Sequence, residues 1–320
     1  MNAVDHNNVV IFDDRGIPSI MCRFVRPKDT EEVPAVFKIG DKVADAIYIS
    51  KYPNIVIDGR AYSMPMADPT VNITFDEAVQ ACRCKGLGWH LMTAVEYEYL
   101  LNQSREKGTM PHGNTDWGKD YYHNDEQGKV SNLGRTYTGT GPVTWNHDHT
   151  PYGVSDLNGN VWEWLAGLRI KDGVIEFIPD NKAASPYCDL SKDSAEWQQA
   201  ETSKGPVRAN VECGEITITD AVAADDYEPD YDGARIEELE VELSEIPQLL
   251  KDLGIIPDKR AEEEGKTYVY FDATEGEYMP IRGSAFLSTS GSGPSALGLN
   301  SVRSSSYGSI GFRSAFYEVN

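Results

Sequence analysis

The stretch that most constrains this chain is Gly159-Asn-Val-Trp-Glu-Trp-Leu165, a short aromatic strand of period two. Alternation sets Trp162 and Trp164 on one face, where two indoles call for packing partners from other elements. Those partners are available upstream. Thr74-Phe-Asp-Glu77 is a capping box, and it opens a helix whose stripe is Phe75, Ala78, Val79 and Cys82, with Gly86 as the stop. Thr93-Ala-Val-Glu96 repeats the signal for a second helix that buries Val95, Tyr99 and Leu100. Between Gly108 and Gly159 the chain is rich in Gly, Asn, Asp and Thr, which predicts dense loops pinned by Trp117 and Trp145.

Residues 1–50 carry short apolar runs (Val9–Phe12, Val33–Phe37, Ala46–Ile49) that read as strands and loops of an N-terminal arm, either part of the main sheet or an attachment surface. Residues 169–278 read as an insertion. It holds a hairpin signal, Ile170-Lys-Asp-Gly173 to Phe177, and a helix capped by Ser244 with Ile246, Leu249, Leu250 and Leu253 buried and Gly254 as its stop. It also holds an acidic run, Asp225–Glu245, with ten acidic residues against the single Arg235, expected as a solvated loop. The expected organisation is therefore 1–50, 51–168, 169–278 and 279–320.

Charge narrows the function. A formal charge of −22 repels phosphate backbones and argues against nucleic-acid partners. No window approaches eighteen consecutive apolar residues, so no membrane insertion is expected, and the polar Met1–Asn8 start carries no secretory signal. Five cysteines are an odd number for a disulfide framework; Cys82 and Cys84 face different sides of a helix and read as structural thiols. The sequence offers no Ser/His/Asp array, phosphate-cradling glycine loop or paired-carboxylate site, so neither catalytic nor metal residues are assigned.

Several segments occur in an order that resembles the formylglycine-generating-enzyme-like, or sulfatase-modifying-factor-like, branch of the C-type lectin fold. They are Ile73–Val79, Leu91–Tyr99, Gly139–Val143, Tyr152–Trp164, Arg282-Gly-Ser and Gly311-Phe-Arg313. The resemblance implies an α+β, C-type lectin fold with a large insertion. Enzymes of that branch need reactive cysteines in the C-terminal segment, because a thiolate binds copper or performs the oxidation. Here the last cysteine is Cys213, and Phe286–Phe316 holds serines and glycines instead. Asn158, Gly159, Val161 and Glu163 match a stretch that binds calcium in the enzymes; no cofactor is expected, with calcium as the minority reading and Glu163 as a buried acceptor as the other. The alternative function is a diverged metal-dependent oxidase of the formylglycine-generating-enzyme or sulfoxide-synthase type. A three-histidine iron site would then be required, and His147-Asp-His149 is the only close pair.

The segment Arg282–Arg313 resembles the variable region of proteins diversified by retroelements, which runs from Arg-Gly-Gly/Ser through a Gly/Ser/Asn-rich stretch to Ile-Gly-Phe-Arg. Such elements mutate adenines, and AAY codons cannot reach Lys, Glu, Gln, Met or Trp; none of these five occurs between Leu287 and Ser309. The resemblance implies ligand-binding, diversified positions at Leu287, Ser288, Gly291, Gly298, Asn300, Ser301, Ser305, Tyr307, Gly308 and Ser309. Ala296, Leu297, Leu299, Val302, Arg303 and Phe312 are implied as scaffold. With Tyr307 as its one aromatic, the face is expected to bind weakly and to gain from multivalency. The function expected is non-enzymatic receptor or ligand binding, with a cell-surface protein or glycan of a host bacterium as partner. The setting expected is a phage tail or virion, reached from the cytoplasm, in preference to a cell surface. The sequence does not name the ligand, the oligomeric state (a homo-oligomer is possible) or the role of the acidic insertion.

Overall fold

The computed structural model describes residues 6–224 and 226–318. Met1–Asp5, Asp225 and the last two residues lie outside them, and with them the first residues of the polar start and of the acidic run. The two predicted helices form with their caps. Helix α1 (Phe75–Arg83) and helix α2 (Ala94–Lys107) both carry complete capping boxes, at Thr74/Glu77 and Thr93/Glu96. Helix α1 buries Phe75, Ala78, Val79 and Cys82 as expected, but stops at Arg83, before Gly86. Helix α2 departs further: Val95 and Tyr99 are half-buried, whereas Tyr97, Glu98, Leu100 and Leu101 are fully buried. It is covered on more than one side, and a polar residue sits in its interior face.

The N-terminal strands belong to a five-stranded antiparallel sheet. In spatial order it runs His6–Phe12, Pro18–Val25, Ala46–Ser50, Ser314–Tyr317 and Trp89–Leu91, so the last strand of the chain lies inside it, paired on both sides. The Val33–Phe37 run is no strand; Ala35–Phe37 forms a 3-10 turn that buries Val36 and Phe37.

The second sheet has twelve strands, and strands from residues 169–278 share it with Leu297–Val302 and Ile310–Phe312. The Asp172-Gly173 turn is the predicted hairpin, with both residues at positive φ and Lys171 facing Val174. The acidic run is not a loop. Tyr231–Arg235 is one edge strand of the large sheet and Glu240–Glu242 the other, joined by the 3-10 turn Ile236–Glu238. The two edges are thus a few residues apart, and the sheet curls around Val211, Ile218, Ala234, Phe271 and Leu299. Carboxylates exposed along both edges oppose pairing with another chain's strand, which gives part of the acidity a physical role. Ser244 is not a helix cap either: its side chain bonds Asp220, and the short helix α3 (Gln248–Asp252) starts after Pro247. Leu250 and Leu253 are buried and Gly254 follows at positive φ, whereas Ile246 is exposed.

One buried cation gives the fold a pH signature. Lys85 is fully buried; its Nζ donates to Ser19 Oγ at 2.9 Å and lies 3.1 Å from the Trp89 ring centroid. Burial pushes its ammonium down to about 7, with no carboxylate in hydrogen-bonding contact to restore it. The unfolded chain, with an ordinary lysine near 10.5, binds a proton there that the folded protein lacks. Stability therefore rises with pH above 7. Urea midpoints should increase from pH 7 to 8.5 in the native protein, and Lys85→Met should lose that slope.

Candidate functional site

The C-terminal segment is fixed at both ends by buried arginines. Arg313 is completely buried; its Nε and Nη2 bond the two Glu163 oxygens at 2.7 and 2.6 Å. The same guanidinium donates to the carbonyls of Ser50 (2.9 Å) and Ser155 (3.0 Å), tying the five-stranded sheet to the loops. Arg282 is equally buried, 3.5 Å from Glu98 and over the Tyr97 ring. Glu98 also pairs with Arg105, which holds Glu264 at 2.8 Å, and Glu264 accepts from Ser295 within the segment. The Arg-Gly-Ser start and Gly-Phe-Arg end are therefore clamps.

Glu163 thus acts as a buried acceptor, with both oxygens committed to Arg313. Asn158 is similarly occupied, accepting from Ser284 Oγ and donating to Pro111 O.

Between the clamps, Ala296, Leu297, Leu299 and Phe312 are buried as scaffold. Arg303 is scaffold by charge, bonded to Glu277 and Asp76 over the Phe75 ring. Val302 is not; it is 44% exposed. Nine of the ten positions fall into three groups. Leu287 (47% exposed) and Ser288 cap a loop docked on Thr115 and Trp117 through backbone bonds from Thr289 and Trp117. Ser305, Tyr307 (57% exposed), Gly308 and Ser309 form the turn before Ile310, with Arg135 donating to Gly308 O and Asn72 N to Tyr307 O. Gly291, Gly298 and Asn300 lie between them. Ser301 does not join this group: strand alternation sends it to the side of Leu297 and Leu299, where it is buried. Gly298 is buried too, and a Cβ there would meet Ile281 at 2.8 Å and Asn300 Oδ1 at 3.2 Å.

The structure adds three aromatic rings to this surface. Tyr268 and Tyr270 stack with centroids 5.9 Å apart, and Tyr270 meets Trp162 edge-on at 6.4 Å. All three are half-buried. Gly291 abuts the Tyr268 ring, Gly298 pairs with Tyr270 across adjacent parallel strands, and Trp162 N donates to Ser309 O. Trp162 is thus only partly core, unlike Trp164, which is fully buried against Phe75 and bonds Ile73 O. The alternation Tyr268-Val-Tyr270-Phe was visible in the sequence, but nothing there tied it to residues thirty positions away. Tyr307 is therefore not the face's only aromatic.

The histidines assemble differently from the sequence expectation. His147 is buried, its Nδ1 accepting from Val154 N at 2.9 Å, while His149 turns to Met110 O. His149 instead neighbours His112, at 5.7 Å, and His112 stacks on His123 at 3.6 Å. Among the described residues, no group of three or more His, Cys, Asp or Glu side chains is placed to hold a metal ion. Nor, among them, is any helix long and apolar enough to cross a membrane.

Residues 51–208, just under half of the chain, match the family described as the Sulfatase-modifying factor enzyme 1-like domain. That region is similar to the domain so described, and the fold of the chain is the α+β C-type lectin fold. The domain is 36% identical over 105 residues to formylglycine-generating enzyme of Mus musculus, a match covering 31% of this chain and 27% of that protein. The chain thus matches about a quarter of its curated relative's length. Similar solved structures include PvdO from Pseudomonas aeruginosa (13% identity, 98% of this chain and 99% of that one, TM-score 0.39). Others are Treponema denticola variable protein 1 (11%, 97% and 99%, TM-score 0.37) and the Major Tropism Determinant P3c variant (11%, 99% and 73%, TM-score 0.34). In this domain the matched region contains α1, α2 and the Trp162–Trp164 strand, and the C-terminal segment lies outside it.

Proposed function

We propose that this protein is a non-enzymatic receptor- or ligand-binding protein whose C-terminal segment is a retroelement-diversified recognition face, carried on a phage tail or related particle. One observation carries the reading. The segment is clamped by buried ion pairs at Arg282 and Arg313 and anchored by buried aliphatic residues, while Leu287, Ser288, Asn300, Ser305, Tyr307 and Gly308 are presented on loops and one strand. A rigid base with replaceable surface residues is what sequence variation at a binding site requires. Half-buried Trp162, Tyr268 and Tyr270 supply ordered contact area from outside the varying positions, so affinity need not rest on small side chains alone.

The sulfatase-modifying relative is named for an enzymatic activity, but the chemistry of that branch needs thiols where this segment has none. Cys22, Cys82 and Cys188 are buried, and burial pushes each thiol up, to about 12 for Cys22 and about 11 for Cys188. The deciding experiment is DNA sequencing around the gene. A reverse transcriptase and a second, near-identical copy of the segment's coding bases, differing at adenines in the codons of Leu287, Ser288 and Ser305–Ser309, is the expected result. Neither feature being present would sink the reading, and oxidase activity on thiol substrates with copper or iron would then be measured.

A further inference from the structure

Beside the C-terminal segment lies a cavity of about 320 Å³, within the range of small-ligand sites. Its walls come from His112, Tyr122 and His123 on one side, Glu263 and Lys266 on another, and the backbone around Gly293 on the third. None of the ten varying positions lines it, so it stands independently of the diversified-face reading. Two imidazoles dominate its chemistry. His112 Nδ1 lies 3.0 Å from Glu126 Oε2, and His123 Nδ1 lies 3.2 Å from Asp120 Oδ1. Both carboxylates already accept other donors, Glu126 from Trp145 Nε1 and Asp120 from the Tyr122 and His123 amides. A carboxylate only accepts, so each Nδ1 must carry the proton, and in neutral imidazole the Nε2 lone pair is left bare. The rings are parallel within 6°, which gives the cavity wall a flat aromatic face as well as two acceptors.

The surrounding charge has one sign in excess. Glu264 is neutralised by Arg105, leaving Asp120 and Glu263 against the exposed Lys266, in a chain of net charge −22. Bare imidazole nitrogens, an exposed carboxylate and the Tyr122 ring together accept hydrogen bonds and stack under a cation. They offer an anion little. We propose that this cavity binds an organic cation, a guanidinium or primary ammonium group, through His112, His123 and Glu263. The cation's source is either a free amine or a basic side chain of a protein partner, and the cavity's chemistry is common to both.

The test is a titration of the full chain with agmatine and, separately, with a short arginine-containing peptide, followed through the imidazole NMR signals of His112 and His123. Either cation should shift both histidines at pH 8. Asp120, Glu126, Glu263, Glu264, Lys266, His149 and Tyr122 are the ionisable groups facing the pair, and Glu263→Gln serves as a surface variant that leaves the fold intact. Glu263→Gln and His123→Gln should each weaken binding about ten-fold, the loss of a hydrogen bond to a charged group. Binding of the peptide but not agmatine would assign the cation to a protein partner; binding of agmatine would assign it to a free amine. Equal binding of an uncharged urea analogue, unchanged affinity in both variants, or shifts produced by Zn²⁺ but by neither cation would overturn the proposal.

Discussion

Glu163→Gln should destabilise the protein by about 3–5 kcal/mol, the range for removing one partner of a buried ion pair. Glu163 and Arg313 are both essentially inaccessible to solvent, and the bidentate contact satisfies two guanidinium nitrogens at once. With glutamine in place, Arg313 keeps its carbonyl acceptors on Ser50 and Ser155 but loses the carboxylate bonded to it, leaving buried Asp156 as a weaker, non-bonded counter-charge. The consequence is wider than one contact. Arg313 precedes Ser314–Tyr317, an interior strand of the five-stranded sheet, and Glu163 sits in the strand that pairs with Ile310–Phe312. Urea denaturation should show the lowered midpoint, and Arg313→Met should cost a similar amount. The double variant Glu163→Leu/Arg313→Met should recover much of the loss, since the burial penalty of both charges disappears together. An unchanged midpoint in Glu163→Gln would show that the clamp does not hold the sheets together.

That pair also marks how far the sequence could be read. Capping boxes at Thr74 and Thr93 and the Asp172-Gly173 turn are local signals. Each needs only residues within four positions, and each appears in the structure. Trp164 was legible as core from strand alternation and size, whereas Leu297, Leu299 and Phe312 were implied as scaffold by the resemblance; all four are buried. What failed were signals that depend on distant partners. The acidic run reads as solvated loop because charge predicts exposure, yet exposure is equally compatible with an edge strand, and pairing with Tyr268–Asp272 decides it. Ser244 has the residue type of a helix cap, but Asp220, twenty-four positions earlier, takes its hydroxyl.

Glu98 illustrates the same limit at the site. A glutamate in a helix reads as solvent-facing; here it is buried because Arg105, one helical face away, and Arg282, 184 positions along, both reach it. The C-terminal segment shows both outcomes: its aliphatic anchors are buried as the resemblance implies, whereas Ser301 turns inward because the strand's pleat assigns it to the side of Leu299. Trp162, Tyr268 and Tyr270 come together only when strands distant in sequence share a sheet. The His112/His123 stack has no sequence signal beyond its two histidines, because its carboxylate partners and its cavity are made by loop closure.

Arg105→Met should be as costly as the Glu163 variant, about 3–5 kcal/mol at pH 7, and its deficit should shrink on acidification. Arg105 and Arg282 balance Glu98 and Glu264 in a buried cluster of two positive and two negative groups. Removing Arg105 leaves Glu98 paired with Arg282 and takes from Glu264 its bonded arginine, with Arg260 acting on both carboxylates from further away. Burial already pushes the Glu98 carboxyl up even with Arg105 and Arg282 drawing it down, so losing Arg105 raises it further. In the variant, the folded protein then binds a proton that the unfolded chain, with an ordinary glutamate near 4.5, does not hold at the same pH. Stability falls as pH rises through that window, so the gap to the native protein should narrow between pH 7 and pH 5. The damage should be directional. Glu264 begins its turn's capping contact at Ala261 N and accepts from Ser295, so the wall of the histidine cavity and the early part of the C-terminal segment lose their anchor together. Amide exchange around residues 262–267 and 292–296 should accelerate more than exchange in Ser314–Tyr317, where Arg313 still holds. Exchange rising equally in both places would mean that the two clamps melt as one unit, and that the start of the C-terminal segment has no local stability of its own.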